Sequence, residues 1–298
     1  FCHGFRRQIR FAATGRAIPF GLVLTRGGSD QGAAMRDAQD IIDTAHRMAD
    51  AARTAILPYF RTDISADNKW QTGFDPVTEA DRAAERAMRD VLARLRPDDA
   101  ILGEEYGASP GTSGLTWILD PIDGTRAFLC GAASWGVLIG LSDGQDIIYG
   151  LIDQPYTRER FEGGLGQASL LTDAGARSLA VRQAANLAGA TLLTTYPEVG
   201  TPDEAAAFRR VAAQVRLTRY GLDCYGYALL ALGQVDLVIE AGLQSYDIAG
   251  PLAVVRAAGG IVTDWQGGPA QGGGQVIAAA TPALHRAALG LLNGQGAA

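Results

Sequence analysis

Cysteine and histidine are scarce in this chain of 298 residues: Cys2, Cys130 and Cys224, and His3, His46 and His285, lie far apart. No CxxC pair or histidine cluster joins them. That argues against a zinc site or a disulfide framework and fits a reducing cytoplasm. Long apolar runs are missing too: charges or glycines interrupt every stretch well short of the roughly 20 residues of a membrane span. An excess of positive charge is also absent. The net charge is −6, and Arg6, Arg7, Arg10, Arg16 and Arg26 against Asp30 make residues 1–34 basic. The rest of the chain is therefore more acidic than the whole, which argues against nucleic-acid binding.

What is present is enough chain for one large domain or two packed halves around a sizeable core. Residues 1–34 have no Met, and Gly27-Gly28-Ser29-Asp30-Gln31-Gly32 looks like a flexible linker. This segment is either a basic targeting peptide or an upstream extension; the linker favours the second, and no fold is expected of it. From Arg36 to Arg61, Ile41, Ile42, Ala45, Met48, Ala49, Ala52, Ile56 and Leu57 recur at helical spacing. Thr78 caps a second helix running to about Leu95, with Asp81 three places on. Short strands follow at 100–103 and 116–120, then a hairpin of 135–142 and 146–152 joined by Asp143-Gly144. After the glycines near 163–166 come strands at 191–195, 216–219 and 235–240. Helices fall at 202–214, 224–233, 247–258 and 282–292. The mixture does not suit a doubly wound sheet. Two α+β halves, about 35–178 and 179–298, fit better.

The segment DPIDGTRAF at 120–128 closes the apolar run Leu115-Thr116-Trp117-Ile118-Leu119. Asp120 and Asp123 thus sit where a buried strand meets a turn. Two carboxylates about 4 Å apart repel by roughly 4 kcal/mol at an effective dielectric near 20, so the pair needs a cation or a shared proton. Carboxylates with a backbone carbonyl, such as that of Ile122, form a hard oxygen shell suited to Mg²⁺. Gly124 lets the backbone approach a ligand, and Thr125 opens a short helix whose amides could hold a phosphate. An isolated DxxD is more often an Asx turn with a helix cap. A calcium-binding helix–loop–helix fails at its twelfth position, where Gly131 replaces the required Glu. Other acids shift the balance. Glu104 and Glu105 follow a strand, Asp75 precedes a helix, and Asp247 opens a strongly apolar one. Acids at several element ends suggest convergence on one cleft.

The stretches GEE at 103–105, DPIDGTRAF at 120–128, YDIAG at 246–250 and DPVTEAD at 75–81 resemble the inositol monophosphatase-like family of Mg²⁺-dependent phosphatases. The resemblance runs from about residue 36 to 294 and implies a layered α/β/α/β/α fold of two packed halves. It also implies a phosphomonoesterase with two or three Mg²⁺ per site, acting on a small phosphomonoester, cytoplasmic and homodimeric. Glu104, Asp120 and the Ile122 carbonyl would hold one ion, and Asp120, Asp123 and Asp247 a second. Glu104 with Thr125 would orient the attacking water, Gly124 and Thr125 would grip the phosphate, and Glu105 and Asp75 would serve as outer groups or third-metal ligands.

Arg126-Ala127-Phe128, the run Trp135–Leu141, Asp223-Cys224-Tyr225 and Tyr246 in place of the usual Trp are most similar to the histidinol-phosphate phosphatase branch. Substrate choice is expected from Asp223 and Glu240, although Asp223 could equally cap the helix that carries Tyr225 and Tyr227. The alternative substrates are inositol monophosphate, fructose bisphosphate or a 3′-phosphonucleotide. Bisphosphates would want further cations, and the chain offers one lysine, Lys69, besides Arg216 and Arg219. A non-catalytic phosphate-binding role is disfavoured by the intact acid set.

Overall fold

A computed structural model describes residues 28–68, 76–184 and 186–295. In chain order it contains α1 (Gly28–Ile56), β1 (Ala66–Asn68), β2 (Pro76–Thr78), α2 (Glu79–Leu95), β3 (Ala100–Gly103), β4 (Gly107–Ser109), β5 (Thr116–Asp123) and α3 (Thr125–Leu129). There follow β6 (Gly136–Ser142), β7 (Ile147–Gln154), β8 (Glu159–Gly164), β9 (Gln167–Thr172), β10 (Gly175–Ser178) and β11 (Thr191–Thr194). The chain continues through α4 (Pro202–Ala212), β12 (Leu217–Tyr220), α5 (Tyr225–Ala231), β13 (Leu237–Leu243) and α6 (Ser245–Ala257). It closes with β14 (Ile261–Thr263), β15 (Gly274–Ala279) and α7 (Pro282–Leu292). Two compact units are distinguished, one ending at Asp40 and one from Ile41 onward. Of the first, the described residues are the opening turns of α1. The helix begins at Gly28, inside the stretch that reads as a linker, because a nucleated helix extends through Gln, Ala and Met at little cost.

Within the second unit an eight-stranded sheet has the order β10-β9-β8-β7-β6-β5-β3-β4, antiparallel except for β3 beside β5. A five-stranded sheet has the order β12-β11-β13-β15-β14. Alternation along the strands sorts their side chains into separate cores. Trp117, Leu119, Ile139, Leu141, Tyr149 and Leu151 meet the buried stripes of α1 and α2. Ile118, Leu138 and Ile152 face the other way, onto α5 and α6, which also receive Leu193, Val238 and Val276 from the second sheet. Leu192, Leu237, Ile239 and Ile277 point outward to α4 and α7. Helix, sheet, helix, sheet, helix is therefore the layer order, the α/β/α/β/α arrangement expected. Burying each large apolar side chain contributes about 1.5–3 kcal/mol, and both sheets bury two faces. Among the described residues no helix is long and apolar enough to cross a membrane.

Candidate active site

Asp120 and Asp123 lie three apart on β5, a spacing that would send their side chains to opposite faces of a regular strand. The register against β6 slips between them: Asp120 opposes Leu138, but Asp123 opposes Gly136. The bulge spans Pro121, which has no N–H to give a ladder. Both acids are thereby turned into one cleft.

Asp247 reaches them from the second half as the third residue of α6. Gly140 pairs with Gly150, and Gly150 with Gly163, so three glycines line up across β6, β7 and β8. A Cβ at these positions would stand 2.6 Å from the Ala249 Cβ, 2.4 Å from the Gly250 oxygen and 2.6 Å from the Val254 Cα. The helix lies in the groove that these missing side chains leave. One Asp247 oxygen, Oδ2, accepts the Gln244 N–H at 2.6 Å and so caps the helix. Carboxylate oxygens of Asp120, Asp123 and Asp247 lie within 4.8 Å of one another.

Glu104 joins from the end of β3, where its N–H donates to the Leu119 carbonyl at 3.1 Å, and its carboxyl hydrogen-bonds Asp120. The turn carrying Glu104 and Glu105 is fixed by Glu85, a buried α2 residue invisible as a site residue in the sequence. It accepts the N–H of Glu105 at 2.7 Å and of Tyr106 at 3.2 Å. Burial, then the charges of Glu104, Asp123 and Asp247, push the Asp120 carboxyl well above the usual carboxylate range. Burial, then Asp247 and Asp223, do the same to Asp123, against the pull of the Cys224 N–H at 2.6 Å. Four such acids cannot all ionise unless a cation or protons compensate them. An all-oxygen donor set of this charge fits a hard divalent cation.

Asp81 is the site residue that the sequence showed only as a cap partner. Its Oδ2 does take the Thr78 N–H at 2.8 Å and hydroxyl at 2.6 Å. Its Oδ1 lies 3.4 Å from the Thr125 hydroxyl, which is also 3.1 Å from the Ile122 carbonyl. Burial raises the Asp81 carboxyl to about 6, with the Thr78 hydrogen bonds opposing and Glu104 assisting.

On the far side of the cluster, Asp223 is not a helix cap: α5 has no side-chain cap, and Asp223 Oδ2 accepts the Ser134 hydroxyl at 2.9 Å. Its backbone is held at φ 46°, a strained setting of the kind that collects at functional sites. It packs on Gly124, where a Cβ would come within 2.9 Å of the Asp223 Cγ. Glu240 is 7% exposed and accepts the Thr195 N–H at 2.7 Å, the Thr195 hydroxyl at 3.0 Å and the Thr194 hydroxyl at 3.1 Å. Burial raises it to about 7, against the Thr195 hydrogen bonds. Asp223 and Glu240 share with Asp123, Asp247, Thr195 and Tyr227 the lining of a cavity of about 20 Å³. A larger cavity of about 520 Å³, lined by Asp203, Glu204, Arg210 and Trp265 among others, contains none of these acids. Asp75 and His3 lie outside the described residues. His46 and His285 are away from the cluster, pairing with Glu162 at 2.9 Å and the Thr263 hydroxyl at 2.8 Å.

The crowded acids carry a stability consequence. The folded protein keeps protons on Asp81 (about 6), Glu240 (about 7), Asp120 and Asp123 that the unfolded chain releases near pH 4. This stabilisation is complete below about pH 4 and is lost as pH rises through the folded-state values. Metal-free protein should therefore melt at a higher temperature at about pH 5.5 than at about pH 8, and Mg²⁺ should restore the difference at the higher pH. Calorimetry on chelator-treated protein checks this; a Tm that climbs from the lower pH to the higher would contradict the crowding.

The comparison with known proteins agrees with this geometry. The family model for inositol monophosphatases matches residues 37–296. The chain belongs to the inositol monophosphatase family. A solved inositol monophosphatase from Zymomonas mobilis superposes with a TM-score of 0.76 at 40% identity, covering 86% of this chain and 98% of that one. The bifunctional phosphatase IMPL2, chloroplastic, of Arabidopsis thaliana is 40% identical over 222 residues, 74% of this chain. That match spans 63% of the plant protein, less than two thirds of its length. A histidinol-phosphatase of Streptomyces coelicolor is 35% identical over 272 residues, covering 87% of this chain and 99% of that protein. Inositol monophosphatase family members are metal-dependent phosphatases, and the acid cluster described above is a fitting place for the ions.

Proposed function

We propose that the chain hydrolyses L-histidinol phosphate to L-histidinol and phosphate, with Mg²⁺ held by its acid cluster. The observation that carries the substrate reading is the pair of carboxylates, Asp223 and Glu240, in the cavity shared with Asp123 and Asp247. They would stand beyond the phosphate, where histidinol phosphate has an ammonium and a partly protonated imidazole. The 35% identity to a histidinol-phosphatase along nearly its whole length supports the same reading.

Glu104, Asp120, Asp123, Asp247 and the Ile122 carbonyl would hold two or three ions. When bound, these supply positive charge that acidifies water and neutralises the phosphate oxygens. The protein's own groups do the positioning. Glu104 and the Thr125 hydroxyl orient the attacking water, and Asp81, raised to about 6, takes its proton through the Thr125 contact. The Gly124 and Thr125 amides bind the phosphate, and Glu105 supports the cluster from outside.

A second reading, hydrolysis of inositol monophosphate, is favoured by the 40% identity to the Zymomonas mobilis enzyme. Steady-state kinetics separate the two. Wild-type protein should show the higher kcat/KM on histidinol phosphate. Glu240→Gln should weaken its preference for histidinol phosphate over an aryl phosphate by about 5–150-fold, chiefly through KM, the effect of losing one charge-assisted contact. Faster turnover of inositol 1-phosphate, or equal loss on both test substrates, would refute the histidinol reading.

A further inference from the structure

Tyr227 sits on α5 with 3% of its surface exposed, and its hydroxyl is buried without a hydrogen-bond partner among the described residues. Such a group is unusual, since buried hydroxyls nearly always bond to something. It lines the small cavity beside Asp223 and Glu240. The donors nearby are already committed: Thr195 gives both its N–H and its hydroxyl to Glu240, and the Cys224 N–H goes to Asp123. Beyond the metal-binding acids and these committed donors, the cavity is lined by Leu243 and by oxygen from Asp223, Glu240 and Tyr227. A volume of about 20 Å³ admits one group the size of a water. A small group that donates hydrogen bonds suits this lining. A primary ammonium has three N–H donors for the three acceptors.

We propose that Tyr227 is a specificity-determining residue whose phenolic oxygen accepts a hydrogen bond from the substrate's ammonium, completing with Asp223 and Glu240 a three-acceptor subsite for amino-alcohol phosphates. The inference rests on the reading of this cleft as one for a cationic phosphomonoester. It assigns Tyr227 a contact that Asp223 and Glu240 do not make alone.

The test compares 2-aminopropyl phosphate with propyl phosphate, using the full chain with Mg²⁺. The two compounds differ by the amine, and neither has an imidazole. Wild-type protein should prefer the aminated compound, and Tyr227→Phe should cut that preference about ten-fold, mostly through KM. Continued turnover of propyl phosphate by the variant shows that it has folded. Equal losses on both compounds would mean that the phenol merely shapes the site. An unchanged preference would mean that it bonds a buried water, and a wild type indifferent to the amine would remove the subsite; each overturns the proposal. A failed histidinol reading would show instead as faster hydrolysis of inositol 1-phosphate, whatever this pair does.

Discussion

Asp120→Asn is expected to lower kcat on the order of 10³-fold at saturating Mg²⁺, whereas Glu105→Gln should cost about ten-fold. Asp120 is 2% exposed and stands among Glu104, Asp123 and Asp247, so its charge acts at close range with little water to screen it. Its structural duty is small. Oδ1 accepts the Ile122 N–H at 3.0 Å, a bond that the Asn carbonyl oxygen can keep, so the bulge should survive the substitution. What Asn cannot supply is the negative charge that draws a divalent cation into the cluster. Glu105 belongs to the same turn, but its placement is set by its backbone bond to Glu85, and it is not one of the three aspartates that converge. Phosphate-release kinetics on both variants check the contrast. Equal, mild losses would show that the centre lies elsewhere.

Much of the fold could be read from residue spacing, because helix faces and hairpin turns are local. The stripe Ile41, Ile42, Ala45, Met48, Ala49, Ala52 and Ile56 is buried as the spacing demands. Thr78 and Asp81 form the capping box, and β6 pairs with β7 across Asp143-Gly144. Strands β8, β9 and β15 were not legible. Gly163, Gly164 and Gly274 look like loop residues, although Gly163 is in a strand because α6 leaves no room for a side chain there. The acids themselves were visible at strand and helix ends, but their convergence was not. It depends on the bulge at Pro121 and on the glycine groove under α6, both of which are properties of register rather than of neighbouring residues. The Asp81–Thr125 contact spans 44 residues, and the left-handed Asp223 backbone has no signature of its own. Tyr227, placed one helical turn beyond Asp223, has nothing in the sequence to mark its hydroxyl, which lacks a partner among the described residues.

A cation requirement follows from the same crowding. Asp120 and Asp123 are pushed well above the carboxylate range when nothing but protein surrounds them. Without a cation these two carboxyls are biased toward their protonated form, where the chemistry needs oxygen ligands and positive charge. Thr125, Asp81 and the α3 amides can orient a water and a phosphate, yet none of them provides the charge that a phosphate monoester demands, its uncatalysed hydrolysis being among the slowest of biological reactions. Mg²⁺ should displace the protons and supply that charge, with its affinity rising as pH increases. The most direct measurement is phosphate release from histidinol phosphate by metal-stripped protein, before and after titration with Mg²⁺. The expected result is negligible turnover in excess EDTA and full recovery as Mg²⁺ is added. Full-rate hydrolysis persisting in excess EDTA would contradict the account.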